Sequence, residues 1–235
     1  MSSVERNVYV DEFFDSYCCA DVLPFYGNYM AARERNKEIT ESMSCLHGAL
    51  DYLLIDRKDQ NVVVLVIGDG KYSRTGSLFA FFTSWTVLSI DPMLDLIFHD
   101  AYTKFKETLG RPIQRLHIRP MIFEDMSMTQ IPLRQSLAET KMVVVLPHSH
   151  VHFESVVDKI ASQGNEEYEY SVVSLPCCVP LPPQLVSKRA VDVTNFLSYT
   201  DLNVRSDKKT MVIHRKMSQK IYNTLVRERK KRKGV

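Results

Sequence analysis

The sequence predicts an α/β fold, a mostly parallel central sheet flanked by helices, and three observations predict it. From Asn61 onward, short apolar runs alternate with helical stretches, the pattern of parallel strands joined by crossover helices. Two of those runs, "VVVLVI" at 62–67 and "MVVVL" at 142–146, are continuously apolar, which implies burial on both faces of a central sheet. The first run ends in Gly68-Asp69-Gly70 and passes straight into a bulky apolar stretch, as a strand does when it hands over to a helix.

The elements follow in order. Residues 1–60 are expected to form a helical extension, because Met30, Ile39, Met43, Leu46, Leu50 and Leu53 recur on one helical face, and to pack beside the sheet. The sheet domain then runs over 61–215. Its five expected strands are "NVVVLVI", "WTVLSID", "IQRLHIRP", "KMVVVLP" and "YEYSVVSLP", each rich in β-branched residues. Helices are expected at about 75–84, 92–108, 130–138 and 151–163. The proline-rich "PCCVPLPPQ" breaks regular structure, "KTMVIHR" at 209–215 is expected as a late edge strand, and residues 216–235 close as a basic helix or tail.

Composition bounds the function classes. At 235 residues with 45% hydrophobic and 25% charged content, the chain suits one α/β domain with extensions and a sizeable core. No apolar run approaches the roughly 20 residues that span a bilayer, and the N-terminus lacks a basic start followed by an apolar stretch. An intracellular location, cytoplasmic or nuclear and not secreted, is the expectation. Five cysteines, including the adjacent pairs Cys18-Cys19 and Cys177-Cys178, make a poor disulfide framework, and neither pair has the CxxC spacing of a zinc site.

Charge is uneven along the chain. "RERKKRK" at 227–233 carries six basic residues and one acidic, a net of +5, so the remainder of this +2 chain stands at −3. Arg227, Arg229, Lys230, Lys231, Arg232 and Lys233 fit a solvated helical tail, a nuclear import signal or attraction to RNA.

Ligands of open parallel sheets sit beyond the carboxyl ends of the strands, and Gly68 and Gly70 occupy that place. Asp91 ends the second strand 21 residues after Gly70, near the spacing of a carboxylate that hydrogen-bonds ribose hydroxyls. An adenosine-type cofactor fits both. The third position of a dinucleotide G-x-G-x-x-G is Ser73, with the next glycine only at Gly76, and no GxxxxGK[ST] phosphate loop occurs. What remains is an adenosine cofactor without pyrophosphate, of which S-adenosylmethionine is the common one.

On "VIGDGKYSRTG" and "SIDP", residues 62 to about 178 resemble a Rossmann-type class I S-adenosylmethionine-dependent methyltransferase. The resemblance implies a Rossmann-like sheet with one late antiparallel strand, which "KTMVIHR" would supply. It also implies that Gly68, Asp69 and Gly70 contact the methionine part and that Asp91 binds the ribose. Glu124 or Asp125 in "MIFEDMS" falls where the family often meets adenine.

Substrate chemistry in that family sits after the fourth strand, where "LPHSHVHFE" places His148, His150 and His152. Three histidines alternating on an extended segment would project to one side as metal ligands do, but a helix starting near Ser149 removes that convergence, and capping or core roles, with no metal, are the expectation. His148 or His150 is the expected general base for a hydroxyl acceptor. This turn, with "PCC" after the fifth strand, is locally similar to eukaryotic tRNA acceptor-stem 2′-O-methyltransferases and their methyltransferase-like relatives, though here the strings are His-Ser-His and Cys-Cys-Val. Cys177 and Cys178 also fit buried structural roles.

Methyl transfer, with RNA as the acceptor to which the basic tail points, is the leading expectation. The rival is a binding or regulatory protein that keeps the sheet without catalysis. A nicotinamide oxidoreductase ranks third, given Ser73 and the lack of a hydride-transfer signature.

Overall fold

The computed structural model describes residues 6–27, 30–110, 113–132, 140–148, 151, 153–163, 170–176 and 196–217. Seven strands form one sheet: β1 (Val62–Ile67), β2 (Thr86–Ile90), β3 (Leu116–Arg119), β4 (Lys141–Pro147), β5 (Tyr170–Leu175), β6 (Phe196–Thr200) and β7 (Thr210–Met217). Their order is β3-β2-β1-β4-β5-β7-β6. The first five are mutually parallel, and β7 runs antiparallel to both β5 and β6. The described helices are α1 (Val8–Asp15), α2 (Cys19–Val22), α3 (Ala32–His47), α4 (Arg74–Phe82), α5 (Leu96–Thr108) and α6 (Phe153–Gln163).

Side chains of a strand alternate between the two faces, and here both faces are covered. Val62, Val64 and Val66 join Val143, Val145 and Val173 in a cluster with Phe13, Phe25, Ile39, Met43, Leu46 and Phe79. Val63, Leu65 and Ile67 face the other way, onto Phe123, Met126, Val156, Val157 and Ile160. This two-sided burial explains the uninterrupted apolar runs. Each fully buried aliphatic or aromatic side chain contributes roughly 1.5–3 kcal/mol.

The N-terminal helices thus share one core with the sheet. Tyr9 on α1 donates from its hydroxyl to Asp201 Oδ2 at 2.7 Å, Ser44 on α3 donates to the same oxygen, and Asn7 Nδ2 donates to the carbonyl of Asn203 at 2.7 Å. These bonds tie the first helix to the turn between β6 and β7. His47 lies between Glu12 at 2.7 Å and Asp51 at 2.9 Å, fastening α1 to α3.

Two expectations are corrected. "KTMVIHR" forms an interior strand, because the short Phe196–Thr200 strand pairs along its outer side and becomes the edge. The helix expected from 130 does not start there: Met128–Gln130 is a single 3₁₀ turn, and Ile131 and Pro132 are non-helical. Residues 133–139, His150, His152, Cys177, Cys178, most of the proline-rich stretch and the basic segment from 218 on, with Arg227, Arg229, Lys230, Lys231, Arg232 and Lys233, lie outside the described residues. Among the described residues no helix is long and apolar enough to cross a membrane.

Candidate functional site

Strand order reverses at β1, flanked by β2 on one side and β4 on the other, and the site is built at the carboxyl ends of β1 and β4. Gly68 N–H donates to the Ile90 carbonyl at 2.9 Å, so the tips of β1 and β2 are fastened together. Gly70 N–H donates to Asp91 Oδ2 at 2.9 Å, and Met93 N–H donates to Asp91 Oδ1 at 2.7 Å. Asp91 therefore braces the glycine turn. Gly70 has φ +68°, a left-handed conformation that favours glycine, and a Cβ added there would meet nothing within 4 Å. The turn faces open space.

Asp69 points the other way, into the protein, and is only 6% exposed. Its carboxylate accepts from Ser89 Oγ at 2.7 Å, from Thr75 N–H and Gly76 N–H at 2.9 Å each, and from Ser73 Oγ at 3.0 Å. Burial pushes this carboxyl up to about 6, while the four donors pull it down. Thr75 and Gly76 open α4, so Asp69 fills the helix N-terminus, the seat that a pyrophosphate takes in a dinucleotide fold. Ser73, at φ +51°, turns the chain so that its hydroxyl reaches back to that carboxylate.

Next to the turn lies a cavity of about 130 Å³, lined by Glu38, Glu41 and Ser42 of α3, by Gly68–Gly70, by Arg74 and Thr75 of α4, and by Pro147 and His148 at the end of β4. Arg74 Nη1 donates to Glu38 Oε2 at 3.0 Å, whereas Arg74 Nε is buried without a hydrogen-bond partner among the described residues. Glu41 Oε1 stands 3.1 Å from His148 Nε2 and 3.5 Å from Lys37 Nζ. Neither Glu41 Oε1 nor His148 Nε2 makes a well-aligned hydrogen bond among the described residues. The cavity thus brings a cationic donor, an imidazole and the three carboxylates of Glu38, Glu41 and Asp69, the last already saturated by its donors, into one small volume.

The fold gathers Gly68, Asp69, Gly70 and His148 around this cavity. Asp91 sits half-buried behind the glycine turn, and Glu124 and Asp125 are exposed on the turn Phe123–Asp125 after β3. Sequence reasoning missed Glu38, Glu41, Ser42, Arg74 and Thr75. A signal for the α3 residues existed: "TESMS" places polar residues on every side of a helix segment that also carries Ile39, Met43 and Leu46. Thr40 through Ser44 are all buried, so that part of the helix has no solvent face.

No family model matches this chain, and no curated protein does. Solved structures do resemble it. A point mutant of MtNAS in complex with S-adenosylmethionine is 13% identical, at TM-score 0.47 over 88% of this chain and 70% of that one. The N-terminal domain of human METTL16 in complex with SAH is 11% identical, at TM-score 0.46 over 88% and 95%. An rRNA methylase from Streptococcus thermophilus is 16% identical, at TM-score 0.41 over 74% and 96%. The deciding feature is the sheet itself, five parallel strands in the order 3-2-1-4-5 followed by an antiparallel β7 slotted inside β6. It is a Rossmann-like fold. The carboxyl edge of this sheet carries the open glycine turn, Asp91 and the end of β4.

Proposed function

We propose that the protein is an S-adenosylmethionine-dependent methyltransferase acting on RNA. The observation that carries this reading is the polar cavity at the switch point, bordered by an open glycine turn, beside a helix N-terminus already filled by Asp69. Such a site has room for an amino-acid end and no free seat for a diphosphate. That combination disfavours a nicotinamide cofactor and fits an adenosyl sulfonium.

In this reading the backbone of Gly68 and Gly70 cradles the methionine part, with Arg74 Nε facing its carboxylate and Glu38 or Glu41 its ammonium. Asp91 keeps unused lone pairs beyond its two backbone bonds and takes the ribose hydroxyls, with Asp125 toward adenine. The cofactor supplies an already activated methyl group, so the chain mainly aligns the acceptor and removes its proton. His148, with His150 two residues on, is the proposed base. Arg227, Arg229, Lys230, Lys231, Arg232 and Lys233 supply affinity for the RNA backbone.

Calorimetry on the folded protein tests the cofactor: heat of binding is expected with S-adenosylmethionine and with its demethylated product, and no heat with either overturns the reading. RNA binding is expected to weaken steeply with salt and to be lost when the basic run is neutralised. One observation favours a second reading, a Rossmann-like binding or regulatory protein without catalysis: both oxygens of Asp91 already accept backbone N–H groups. Under that reading Asp91→Ala leaves every activity intact, whereas the methyltransferase reading expects loss of cofactor binding.

A further inference from the structure

We propose that Glu41 is the positioning residue of a proton-accepting pair with His148, which holds Nε2–H against the carboxylate and turns Nδ1 toward a protic acceptor; this rests on the methyl-transfer reading. The side chains are 6% and 22% exposed, and the facing atoms, Glu41 Oε1 and His148 Nε2, are 3.1 Å apart. Both atoms are buried, and neither has a well-aligned hydrogen bond among the described residues. Among the described residues Glu41 Oε1 is faced only by the ring and by Lys37 Nζ at 3.5 Å, so a carboxylate placed there for stability alone is poorly placed.

The backbone aims the imidazole. His148 follows Pro147 at the end of β4, its N–H donates to the Leu175 carbonyl at 3.0 Å, and it sits at φ +46°, a left-handed conformation that a residue with a Cβ rarely adopts. Glu41 comes from the buried stretch of α3, a rigid element packed between α1, α4 and the sheet. The remaining charges around the pair are Lys37 and Glu38 on α3, Asp69 after β1 and Arg74 on α4. Glu38 is engaged by Arg74 and Asp69 by its four donors, so Glu41 is the carboxylate left facing the ring.

A carboxylate at Nε2 selects the tautomer protonated on that nitrogen and leaves Nδ1 with its lone pair. During transfer the acceptor's hydroxyl or amino proton passes to Nδ1. The acceptor lone pair forms the new bond to the methyl carbon, and the carbon–sulfur bond breaks with its electron pair remaining on sulfur. The resulting imidazolium lies against Glu41. An acceptor that brings no proton has no use for this pair, so the substrate class is one whose reacting oxygen or nitrogen carries hydrogen.

The test is ring nitrogen–proton correlation spectroscopy on the full chain labelled with ¹⁵N-histidine, with His148→Asn assigning the ring. Wild type is expected to show His148 protonated on Nε2, with that proton protected from exchange. Glu41→Leu is expected to lose the protected signal, exchanging at least tenfold faster. A ring protonated on Nδ1 in wild type, or one unchanged by Glu41→Leu, overturns the proposal. If Glu41→Leu does not fold, the wild-type tautomer and the isosteric Glu41→Gln decide. The two readings fail separately: an Nε2–H ring without cofactor heat removes methyl transfer alone, and cofactor heat with an Nδ1–H ring removes the pair alone.

Discussion

Asp69 and Glu41 border the same cavity and are buried almost equally, at 6% and 4% exposure, yet their surroundings are opposite. Asp69 meets four donors from the chain that follows it, two hydroxyls and two backbone N–H groups, and closes the start of α4. Glu41 meets His148 out of line and Lys37 at 3.5 Å. Burial by itself therefore does not separate a carboxylate that builds the fold from one available for chemistry. The separation lies in whether its lone pairs are already taken.

The largest disruption is expected from Gly76→Ala, whose new Cβ would sit 2.6 Å from Ser73 Oγ, 2.7 Å from Asp69 Oδ2 and 3.1 Å from Ser89 Cβ. Overpacking at that point displaces the Asp69 network, and chemical denaturation is expected to show a loss of about 3 kcal/mol.

A pH series sharpens the contrast further. The folded-state value of Asp69, about 6, lies above its ordinary 3.8 because burial disfavours the charge. Between those values the folded state binds more protons than the unfolded state, so this group's contribution to stability rises as pH falls from about 6 toward 4 and is lost above 6. The difference amounts to about 3 kcal/mol and is expected as a gap between wild type and Asp69→Asn that widens toward acid pH.

At neutral pH Asp69→Asn itself is expected to cost about 2 kcal/mol in denaturation, because an amide offers one acceptor oxygen where four donors converge. Gly70→Ala is expected to cost only about 1 kcal/mol of stability, from its left-handed φ, and, if the proposed S-adenosylmethionine site is there, calorimetry is expected to find affinity for it reduced at least about tenfold as the methyl enters the open space. Glu41→Gln gives the smallest change, stability unaltered or raised by less than about 1 kcal/mol. A loss from Glu41→Gln as large as that from Asp69→Asn would erase the distinction between the two carboxylates.

What the residues disclosed in advance follows from where each signal is local. The strands β1 and β4 are legible because a sheet covered on both faces takes unbroken apolar runs, as Val62–Ile67 and Met142–Leu146 are, while β2, β3, β5 and β7 are legible from short β-branched and apolar stretches. Phe196–Thr200 is harder to read because its described side chains are only partly covered or exposed, so no buried run marks it. The interior position of β7 is a matter of pairing order, which no single segment encodes. The same division holds at the site. Gly68, Gly70 and His148 announce themselves by strand-end position, whereas Glu41 reads as an ordinary solvated helix charge until α3 is seen to be covered on all sides from Ile39 to Leu46.

The placement of β7 bears on how the chain is made. Its partner β5 is complete at Leu175, but β7 ends only at Met217, so β5 keeps an unpaired edge while the intervening residues are synthesised. At ribosomal speeds of about 5–20 residues per second, that interval lasts about 2–8 s. The β5 edge of the sheet is therefore closed only by a segment made well after β5 itself, so this pairing is the last of the parallel core's to be completed.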